Sequence, residues 1–332
     1  MTIRLKPLAE QVLVITGASS GIGLATARMA ADKGARLVLA SRSDEALQTL
    51  VDEIRDKGGQ AIHVTADVAS EEDVLRIAAE GTAAFGGFDT WVNNAGVSVY
   101  GRTHEAPIDD LRRMFETNFW GVVYGSRVAS EHLRQHGGAI INIGSELSDV
   151  AAPLQGMYSA SKHAVKGWTD ALRMELQDED APISVTLIKP AAIDTPYADH
   201  AGNEMGDHPQ HVPPVYSPDA VAEAILHAAT TPTRDLFVGS AGMVASTLNR
   251  IAPGIMDRVV RRILIPGTHS GEPRHSTDAL YQPGEGLQER GHYPGLVRSS
   301  LYTKAKMNRV VTGAATLGAG LVALTLWRSR RD

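Results

Sequence analysis

The stretch Gln11-Val-Leu-Val-Ile-Thr-Gly-Ala-Ser-Ser-Gly-Ile-Gly23 joins a short apolar run to a glycine-rich turn. A helical pattern from Leu24 to Lys33 follows the turn and closes at Gly34. Glycines in such a turn let the backbone bend tightly and approach a pyrophosphate, which then rests on amide groups at the helix N-terminus. An ordinary tight loop is the alternative, but the strand before the turn and the helix after it favour a nucleotide site.

Strand-like and helical segments alternate along the first 240 residues. After the first strand, apolar runs at 36–40, 61–65, 90–93, 139–143, 183–188 and 236–238 predict further strands. Helical patterns cover 44–57, 71–85, about 108–135, a segment starting at 158, and 219–229. Continuous apolar strands separated by helices are typical of a parallel sheet covered on both faces. The sequence therefore predicts an α/β fold with a doubly wound parallel sheet.

A second motif combines a serine with a tyrosine and a lysine. Ser145 follows the apolar strand at 139–143, and Tyr158 and Lys162 are four residues apart, so on a helix they share one face. A tyrosine titrates near 10, and a nearby ammonium lowers its pKa by favouring the phenolate. A serine hydroxyl could hold a substrate oxygen beside the tyrosine. Taken alone, the Tyr-x-x-x-Lys spacing also fits a half-buried tyrosine next to a solvated lysine.

The composition restricts the classes of protein to consider. The 332 residues allow one large domain or two, and 43% hydrophobic with 21% charged residues is ordinary for a soluble globular protein. The chain has no cysteine, which excludes disulfides and Cys-ligated metals and permits a reducing cytosolic environment. The first ten residues lack an uninterrupted apolar run, so we expect no signal peptide.

Charge is distributed unevenly along the chain. Residues 251–332 hold 12 Lys and Arg against 6 Asp and Glu, whereas residues 1–250 hold 20 against 32. An acidic body argues against nucleic acid as a partner. The basic tail is a candidate for contact with an anionic surface such as lipid headgroups.

Further residues accompany these two motifs in the order and at the separations of a known family. Thr16-Gly17-x-x-x-Gly21-x-Gly23, Asp67-Val68, Asn93-Asn94-Ala95-Gly96, Asn118, Ser145, Tyr158-x-x-x-Lys162 and Pro190 together resemble the short-chain dehydrogenase/reductase superfamily. The resemblance covers about residues 8–240. It implies a Rossmann-type single domain, a nicotinamide cofactor and hydride transfer.

The resemblance also implies residue roles. Tyr158 would be the general acid/base, Lys162 would lower its pKa and bind the nicotinamide ribose, Ser145 would orient the substrate oxygen, and Asn118 would help to hold a water in a proton relay with Lys162. The cofactor would contact Gly17, Ser19, Ser20, Gly21, Ile22 and Gly23 at the pyrophosphate, Asp67 and Val68 at the adenine, Asn93, Ala95 and Gly96 at its middle, and Pro190, Ile193 and Thr195 near the carboxamide. The alternatives are turn residues for Asn93-Asn94, a helix cap for Asp67 and a satisfied mid-helix amide for Asn118.

The end of the second strand bears on the choice of cofactor. A family member that prefers NAD would have an acidic residue there for the ribose 2′-hydroxyl. This chain has Ser41 followed by Arg42, and a guanidinium suits a 2′-phosphate. We therefore expect NADP(H) to be favoured over NAD(H), with a solvated Arg42 as the alternative.

The segment after the sixth strand departs from the family pattern, because Pro190-Ala191 replaces the usual Pro-Gly. Residues 197–217 then form a polar loop where the family places a substrate lid, and we interpret His200, His208 and His211 as solvated lid residues rather than a metal site. The candidates for the substrate cleft are Ser145, Tyr158, Tyr100, Glu146, Leu147, Leu154 and Met157.

The C-terminal part exceeds the family's usual length. We expect a catalytic domain over residues 1–245, then a basic amphipathic helix at 253–266 and an irregular connector over residues 246–309. That helix could lie on a membrane, pack on the domain or pair with a second subunit. Residues 310–327 carry no charge and could span about 27 Å as a helix, which predicts either a membrane anchor or a packing helix.

Together these observations predict an NADP(H)-dependent oxidoreductase that interconverts a ketone or aldehyde with an alcohol, on a small hydrophobic substrate. We expect a homo-oligomer whose catalytic domain is cytoplasmic and anchored to the inner membrane by its C-terminus. A catalytically silent nucleotide-binding scaffold and an epimerase or dehydratase on the same fold are the alternatives.

Overall fold

A computed structural model of the chain describes residues 3–274 and 278–308, and its centre is a seven-stranded parallel sheet. The strands of this sheet, in chain order, are β1 (Val12–Thr16), β2 (Arg36–Ser41), β3 (Gln60–Thr65), β4 (Thr90–Asn93), β6 (Gly138–Ile143), β7 (Ile183–Pro190) and β10 (Asp235–Val238). They lie side by side in the order β10-β7-β6-β4-β1-β2-β3. Two small parallel pairs join β5 (Val99–Tyr100) to β8 (Gly202–Asn203) and β9 (Val215–Tyr216) to β11 (Val297–Arg298).

Helices cover both faces of the sheet. They are α1 (Gly21–Asp32), α2 (Asp44–Asp56), α3 (Glu71–Phe85), α4 (Ile108–Phe115), α5 (Gly121–His136), α6 (Gly156–Asp178), α7 (Pro218–Thr230), α8 (Ser240–Ile251), α9 (Pro253–Thr268) and α10 (Leu301–Met307). Short 3₁₀ turns span Leu8–Glu10 and Glu146–Ser148. This confirms the α/β fold class, a Rossmann-type doubly wound parallel sheet.

The strands read as continuous apolar runs because both of their faces are buried. Leu13 and Ile15 of β1 belong to one core cluster together with side chains of α1, α2 and α7. Val12 and Val14 belong to a second cluster together with side chains of α3, α5 and α6. Since successive side chains of a strand point to opposite faces, each strand supplies both clusters. All five residues of β1 are buried.

The helix expected over 108–135 contains a local change of winding. A π-helical turn at Glu116–Trp120 separates α4 from α5 and includes the buried residue Asn118. Such turns are frequent at functional sites because the wider winding changes which backbone carbonyls are bonded within the helix. The pattern of apolar residues alone did not indicate this turn.

Beyond β10 the structure adds a helix that the sequence pattern did not predict. Helix α8 begins with Ser240, Ala241 and Gly242, residues of modest helix propensity, and it is stabilised by packing against α9 and the turn at Glu146–Ser148. Helix α9 buries Met256 but leaves Ile255 and Ile263 more than half exposed. The three interpretations of this basic amphipathic helix therefore stay open.

The stretch predicted as a membrane anchor, residues 310–327, lies outside the described residues. Within residues 3–274 and 278–308, no helix is both long and apolar enough to cross a bilayer.

A buried ion cluster fixes the segment that follows Ser145. Asp149, whose side chain is 2% exposed, is bonded by Lys166 of α6 and, at 2.9 Å, by Lys189 of β7. Burial alone would raise the pKa of Asp149, but the two lysines bring it down to about 2. The cluster therefore ties the turn at Glu146–Ser148 to a helix and to the sheet.

Replacing Asp149 by Asn should destabilise the fold by about 3 kcal/mol, because the buried Lys189 would lose its charge partner. Since the folded pKa is depressed, the stabilisation in the native protein should be present above pH 3.8 and lost as the pH falls towards 2. Denaturant unfolding between pH 2 and pH 7 measures both effects. Asp109→Asn is the matched control, since the exposed Asp109–Arg112 pair should contribute less than about 1 kcal/mol.

Candidate active site

The main cleft of the described chain lies at the carboxyl ends of the strands. The strand order reverses between β1 and β4, and this is the position where doubly wound sheets bind their ligands. The glycine turn after β1 forms one wall, and the loops after β4, β6 and β7 form the others. The two sequence motifs, 120 residues or more apart, therefore meet at the same edge of the sheet.

The glycine turn has a shape that only glycine permits. Gly17 has a φ of +66°, and a Cβ at this position would lie 2.8 Å from the Cα of Ala95. A Cβ on Gly23 would lie 2.0 Å from the backbone oxygen of Gly17, so the turn and the first helical turn are in direct backbone contact. Both close approaches are those required of a dinucleotide-binding turn, and the residues present therefore fit a pyrophosphate.

Most of the residues expected to hold a cofactor line this cleft. They are Gly17, Ser19, Ser20, Gly21, Ile22, Ser41, Arg42, Asp67, Val68, Ala95, Gly96, Pro190, Ile193 and Thr195, together with Tyr158 and Lys162. The exceptions are Gly23 and Asn93. Gly23 does not face the cleft, but its close contact with the Gly17 backbone allows the turn to form.

Asn93, predicted to contact the middle of the cofactor, has a side chain that points into the core and not into the cleft. It accepts a hydrogen bond from Trp91 Nε1 at 2.7 Å and donates to Asn142 Oδ1 at 2.8 Å. Residues two apart on a strand share a face, so Asn93 lies on the same buried face as Trp91. Its neighbour Asn94 lines the cleft instead and donates to the backbone oxygen of Thr16 at 2.9 Å.

Asn118 is also turned away from the cleft. Its amide pairs with the backbone of Val97, accepting from N at 2.8 Å and donating to O at 2.9 Å, and its Nδ2 lies 3.3 Å from Ser161 Oγ. The side chain therefore fixes the loop after β4, as a satisfied buried amide would. The hydrogen bonds of the Asn118 side chain go to Val97 and Ser161 and not directly to Lys162, and a relay between Asn118 and Lys162 through a water stays a prediction.

The end of the cleft beside β2 carries two arginines. Arg42 donates to the backbone oxygens of Ala279 and Leu280, the latter at 3.0 Å, so it is not the solvated charge of the alternative interpretation. Arg113 donates to Leu280 O at 3.1 Å and pairs with Asp67. Burial is the main cause that lowers the pKa of Arg42, and Arg113 adds to it while Asp67 opposes it. The guanidinium of Arg42 is thus held in place at the cleft.

The carbonyls that bind Arg42 belong to a segment that the sequence interpretation passed over as a connector. Residues 279–288, here called the C-terminal strap, cross the cleft from Arg42 to the glycine turn. Leu287 N donates to Ser19 O, and Gly21 N donates to Gln288 O, both at 2.8 Å. An ion pair of Arg28 with Glu289 at 2.8 Å fastens the far end. The strap also approaches α2 closely at Gly286, where a Cβ would lie only 2.3 Å from Ala46 Cβ. This glycine was the one feature of the sequence that could have indicated the approach.

Ser145, Tyr158 and Lys162 converge at the other end of the cleft. Ser145 lies just after the end of β6. Its Oγ accepts a hydrogen bond from Leu147 N at 3.1 Å, and its hydroxyl proton can still be donated to another group. Tyr158 lies in the first turn of α6 and lines the cleft together with Ser145. Lys162 is 4% exposed, donates to Ile143 O at 2.9 Å, and lies 5.6 Å from the centre of the Tyr158 ring.

The electrostatics of this group differ from the expectation. Burial raises the pKa of Tyr158, hydrogen bonds from Tyr197 and Ser145 oppose that rise, and the charge of Glu146 adds to it. Burial lowers the pKa of Lys162 to about 8. Two hydroxyls therefore favour the Tyr158 phenolate, and one of them, that of Tyr197, was not part of the sequence interpretation.

The substrate end of the cleft is lined by some of the expected residues. Tyr100, Glu146 and Leu147 face it, whereas Leu154 and Met157 pack in hydrophobic clusters beside it. Burial raises the pKa of Glu146 to about 7, so this carboxyl changes charge near neutral pH. Gly242 of α8 leaves the space for it, because a Cβ there would lie 2.8 Å from Glu146 Cβ.

The loop histidines are not the solvated residues that the sequence suggested. His211 lines the cleft, stacks on Tyr197 with ring centres 6.1 Å apart, and has a buried Nε2 without a hydrogen-bond partner in the described chain. Burial lowers its pKa to about 4, so His211 is neutral at pH 7. His200 lines the cleft as well, and His208 pairs with Asp199 at 3.0 Å. The loop therefore forms a folded wall of the site.

Comparisons with known proteins agree with this arrangement. Residues 11–206 match the family model for the short chain dehydrogenases. The chain is 49% identical over 327 residues to the uncharacterized oxidoreductase YxnA of Bacillus subtilis (strain 168), covering 97% of this chain and 91% of that protein.

Two solved structures share the fold. One is a short chain dehydrogenase/reductase from Burkholderia phymatum in complex with NAD, with a TM-score of 0.69, 28% identity, and coverage of 76% of this chain and 96% of that one. The other is an alcohol dehydrogenase from the archaeon Thermococcus sibiricus complexed with 5-hydroxy-NADP, with a TM-score of 0.60, 27% identity, and coverage of 69% and 95%. With the family model matching more than half of the chain, this protein belongs to the short-chain dehydrogenase/reductase family and is an oxidoreductase acting on CH–OH groups.

Proposed function

We propose that this protein is an NADP(H)-dependent oxidoreductase that interconverts a ketone or aldehyde with the corresponding alcohol. The observation that carries the proposal is the convergence of Ser145, Tyr158 and Lys162 at one end of a cleft whose other end is the glycine turn. A nicotinamide cofactor, when bound, supplies or accepts the hydride. The protein's own residues bind it, orient the substrate and move a proton.

In this proposal the cofactor is held along the whole cleft. The glycine turn receives the pyrophosphate, Asp67 and Val68 contact the adenine, and Ile193 and Thr195 lie at the nicotinamide end. Lys162, whose ammonium faces the cleft, binds the nicotinamide ribose. The C-terminal strap closes over the adenosine half, since it lines the cleft at residues 279 and 283–285.

The proton is moved by Tyr158. In the direction of reduction, its hydroxyl donates a proton to the substrate oxygen, and in oxidation the phenolate accepts one. When substrate is bound, Ser145 directs its single hydroxyl proton to the same oxygen instead of to Tyr158, and its own oxygen still accepts from Leu147 N. The desolvated Lys162 keeps a charge close to the tyrosine and lowers the cost of the phenolate.

The substrate is proposed to be largely apolar around its reacting carbon. Leu147, Val212 and Leu264 line the substrate end, together with the rings of Tyr100 and Tyr197. Glu146 is a polar group within this lining, and it could accept a hydrogen bond from a hydroxyl on the substrate.

The preference for NADP(H) is argued from Arg42. Its guanidinium is bound by two strap carbonyls, and the N–H groups that remain could bind a 2′-phosphate. Ser41 at the end of β2 brings no negative charge that would repel that phosphate. The two related structures carry NAD and an NADP derivative, so the argument rests on these residues alone.

The test measures oxidation of NADPH and NADH by the purified wild type and by Arg42→Gln, against a panel of ketones and aldehydes. We expect turnover with NADPH, and a KM for NADPH that rises about 10- to 100-fold in Arg42→Gln, because a charge-assisted bond to the phosphate is lost. The KM for NADH should change by less than about threefold. Equal weakening of both cofactors would mean that Arg42 only holds the strap, and a wild type that prefers NADH would refute the cofactor proposal.

A further inference from the structure

Tyr197 lies next to Tyr158, the tyrosine proposed to move the proton. No sequence motif had indicated Tyr197. It follows Thr195-Pro196 in the loop after β7, and its ring meets the Tyr158 ring edge to face, with centres 5.5 Å apart. Both side chains line the cleft. The hydroxyls of Ser145 and Tyr197 oppose the rise that burial causes in the pKa of Tyr158, which is the effect of hydrogen bonds donated to the Tyr158 oxygen.

The direction of the Tyr197 bond follows from its other partners. Gln155 Nε2 donates to the Tyr197 oxygen at 3.0 Å and also lies 3.2 Å from Ser98 Oγ, and Ser98 is bonded to Tyr197 as well. A phenolic oxygen that accepts from these groups directs its single proton elsewhere. The remaining acceptor is the oxygen of Tyr158.

The surroundings keep that proton on Tyr197. Burial, followed by the charges of Tyr158 and Tyr100, raises the pKa of Tyr197 well above its usual value, so Tyr197 is the donor of the pair when Tyr158 ionises. His211 stacks on the Tyr197 ring and is neutral at pH 7. The loop therefore presents a protonated, oriented hydroxyl to Tyr158.

We propose that Tyr197 is a positioning residue: it donates a hydrogen bond to the Tyr158 oxygen and holds it beside Ser145, facing the substrate end of the cleft. This inference rests on the proposed oxidoreductase activity and extends it to a residue outside the Ser145, Tyr158 and Lys162 set. Gln155 and Ser98 affect Tyr158 only indirectly, because they fix the orientation of the Tyr197 hydroxyl.

Tyr197→Phe tests the inference, with alcohol oxidation measured as a function of pH. The variant keeps the ring and loses the donated bond, so the phenolate of Tyr158 becomes less stable. We expect the acid limb of the kcat profile to move up by about one pH unit, and kcat near neutral pH to fall about tenfold with KM changed less than about twofold. Tyr100→Phe is the matched control, since Tyr100 is also buried and its ring centre lies 6.2 Å from that of Tyr197. In this variant the acid limb of the kcat profile should not move, even if KM changes.

Other titrating groups around Tyr158 could also move the acid limb of the kcat profile, so their contribution has to be measured separately. They are Lys162 of α6, Glu146 of the turn after β6, Tyr100 of β5, and Tyr197 and His211 of the loop after β7. Glu146 titrates near 7, so the same comparison is repeated in the Glu146→Gln background, where the shift caused by Tyr197→Phe should persist. Gln155→Leu, which leaves both tyrosines in place, should move the limb in the same direction by a smaller amount.

An unmoved limb in Tyr197→Phe and in Gln155→Leu would overturn the inference, even if kcat fell, because losing a donated hydrogen bond raises the pKa of Tyr158, whereas water admitted by a packing defect would lower it. A wild type that turns over no carbonyl or alcohol would instead refute the proposed function. In that event the Tyr158 ionisation is read directly, by ultraviolet difference titration of wild type against Tyr158→Phe, with and without Tyr197→Phe. A lower Tyr158 pKa with Tyr197 present supports the inference, and equal values overturn it.

Discussion

Tyr158→Phe is expected to lower kcat for carbonyl reduction by about 10³- to 10⁴-fold. The hydroxyl is both the proton donor and a hydrogen-bond partner of the substrate oxygen, and general acid catalysis alone contributes about 10²- to 10⁴-fold. The phenyl ring keeps the edge-to-face contact with Tyr197, so the site should stay folded. NADPH binding should change by less than about threefold, because the pyrophosphate and adenosine contacts are untouched.

Steady-state kinetics and a fluorescence titration with NADPH separate these two outcomes. Tyr124→Phe is the matched control, since Tyr124 lies on α5 and packs against Trp120 away from the cleft, and its kcat should equal that of the wild type. If Tyr158→Phe kept more than about a tenth of the wild-type kcat, proton transfer would have to come from another group, with Glu146 as the first to test.

Gly23→Ala is expected to weaken NADPH binding by about 100-fold or more. The added Cβ would lie 2.0 Å from Gly17 O and 2.7 Å from Asn94 Nδ2, so the Gly17 backbone and the Asn94 side chain would have to shift. That shift displaces the amides that receive the pyrophosphate, and losing two charge-assisted bonds costs about 3 kcal/mol. The overpacking itself should reduce the free energy of unfolding by about 1–3 kcal/mol.

Isothermal titration with NADPH and denaturant unfolding measure the two effects separately. Gly167→Ala is the matched control, because Gly167 lies inside α6 with nothing within 4 Å of an added Cβ. Helix propensity predicts that this control gains about 0.5–1 kcal/mol of stability and binds NADPH like the wild type. Wild-type NADPH affinity in Gly23→Ala would show that the turn tolerates the extra carbon and would contradict its assigned role.

Several features of the site could be predicted from sequence because their signals are local. Gly17 and Gly21 stand between an apolar run and a helical pattern, and both adopt positive φ in the structure. Tyr158 and Lys162 are one helical turn apart, so their common face follows from the helix itself. Ser145 reaches them because β6 and α6 are consecutive elements of a doubly wound sheet.

Asn93 shows where local reasoning reached its limit. The motif Asn93-Asn94-Ala95-Gly96 was interpreted as a unit, but Asn93 still belongs to β4 and its side chain points into the core, whereas Asn94, Ala95 and Gly96 line the cleft. The presence of Trp91 two residues earlier was an available signal for this. The side-chain amide of Asn118 is likewise hydrogen-bonded to the backbone of Val97, because the loop after β4 packs against the π-helical turn.

By itself, the sequence determined the fold class, the glycine turn and the Ser145, Tyr158 and Lys162 set, because strand alternation, helix periodicity and turn chemistry act over a few residues. Only the tertiary structure decided what surrounds them. Arg42 is held by the carbonyls of Ala279 and Leu280, more than 230 residues away, and Tyr158 is bonded by Tyr197 from a loop after the sixth strand of the sheet. Contacts between residues so far apart leave no periodic pattern in the chain, since they depend on where the folded sheet places each loop.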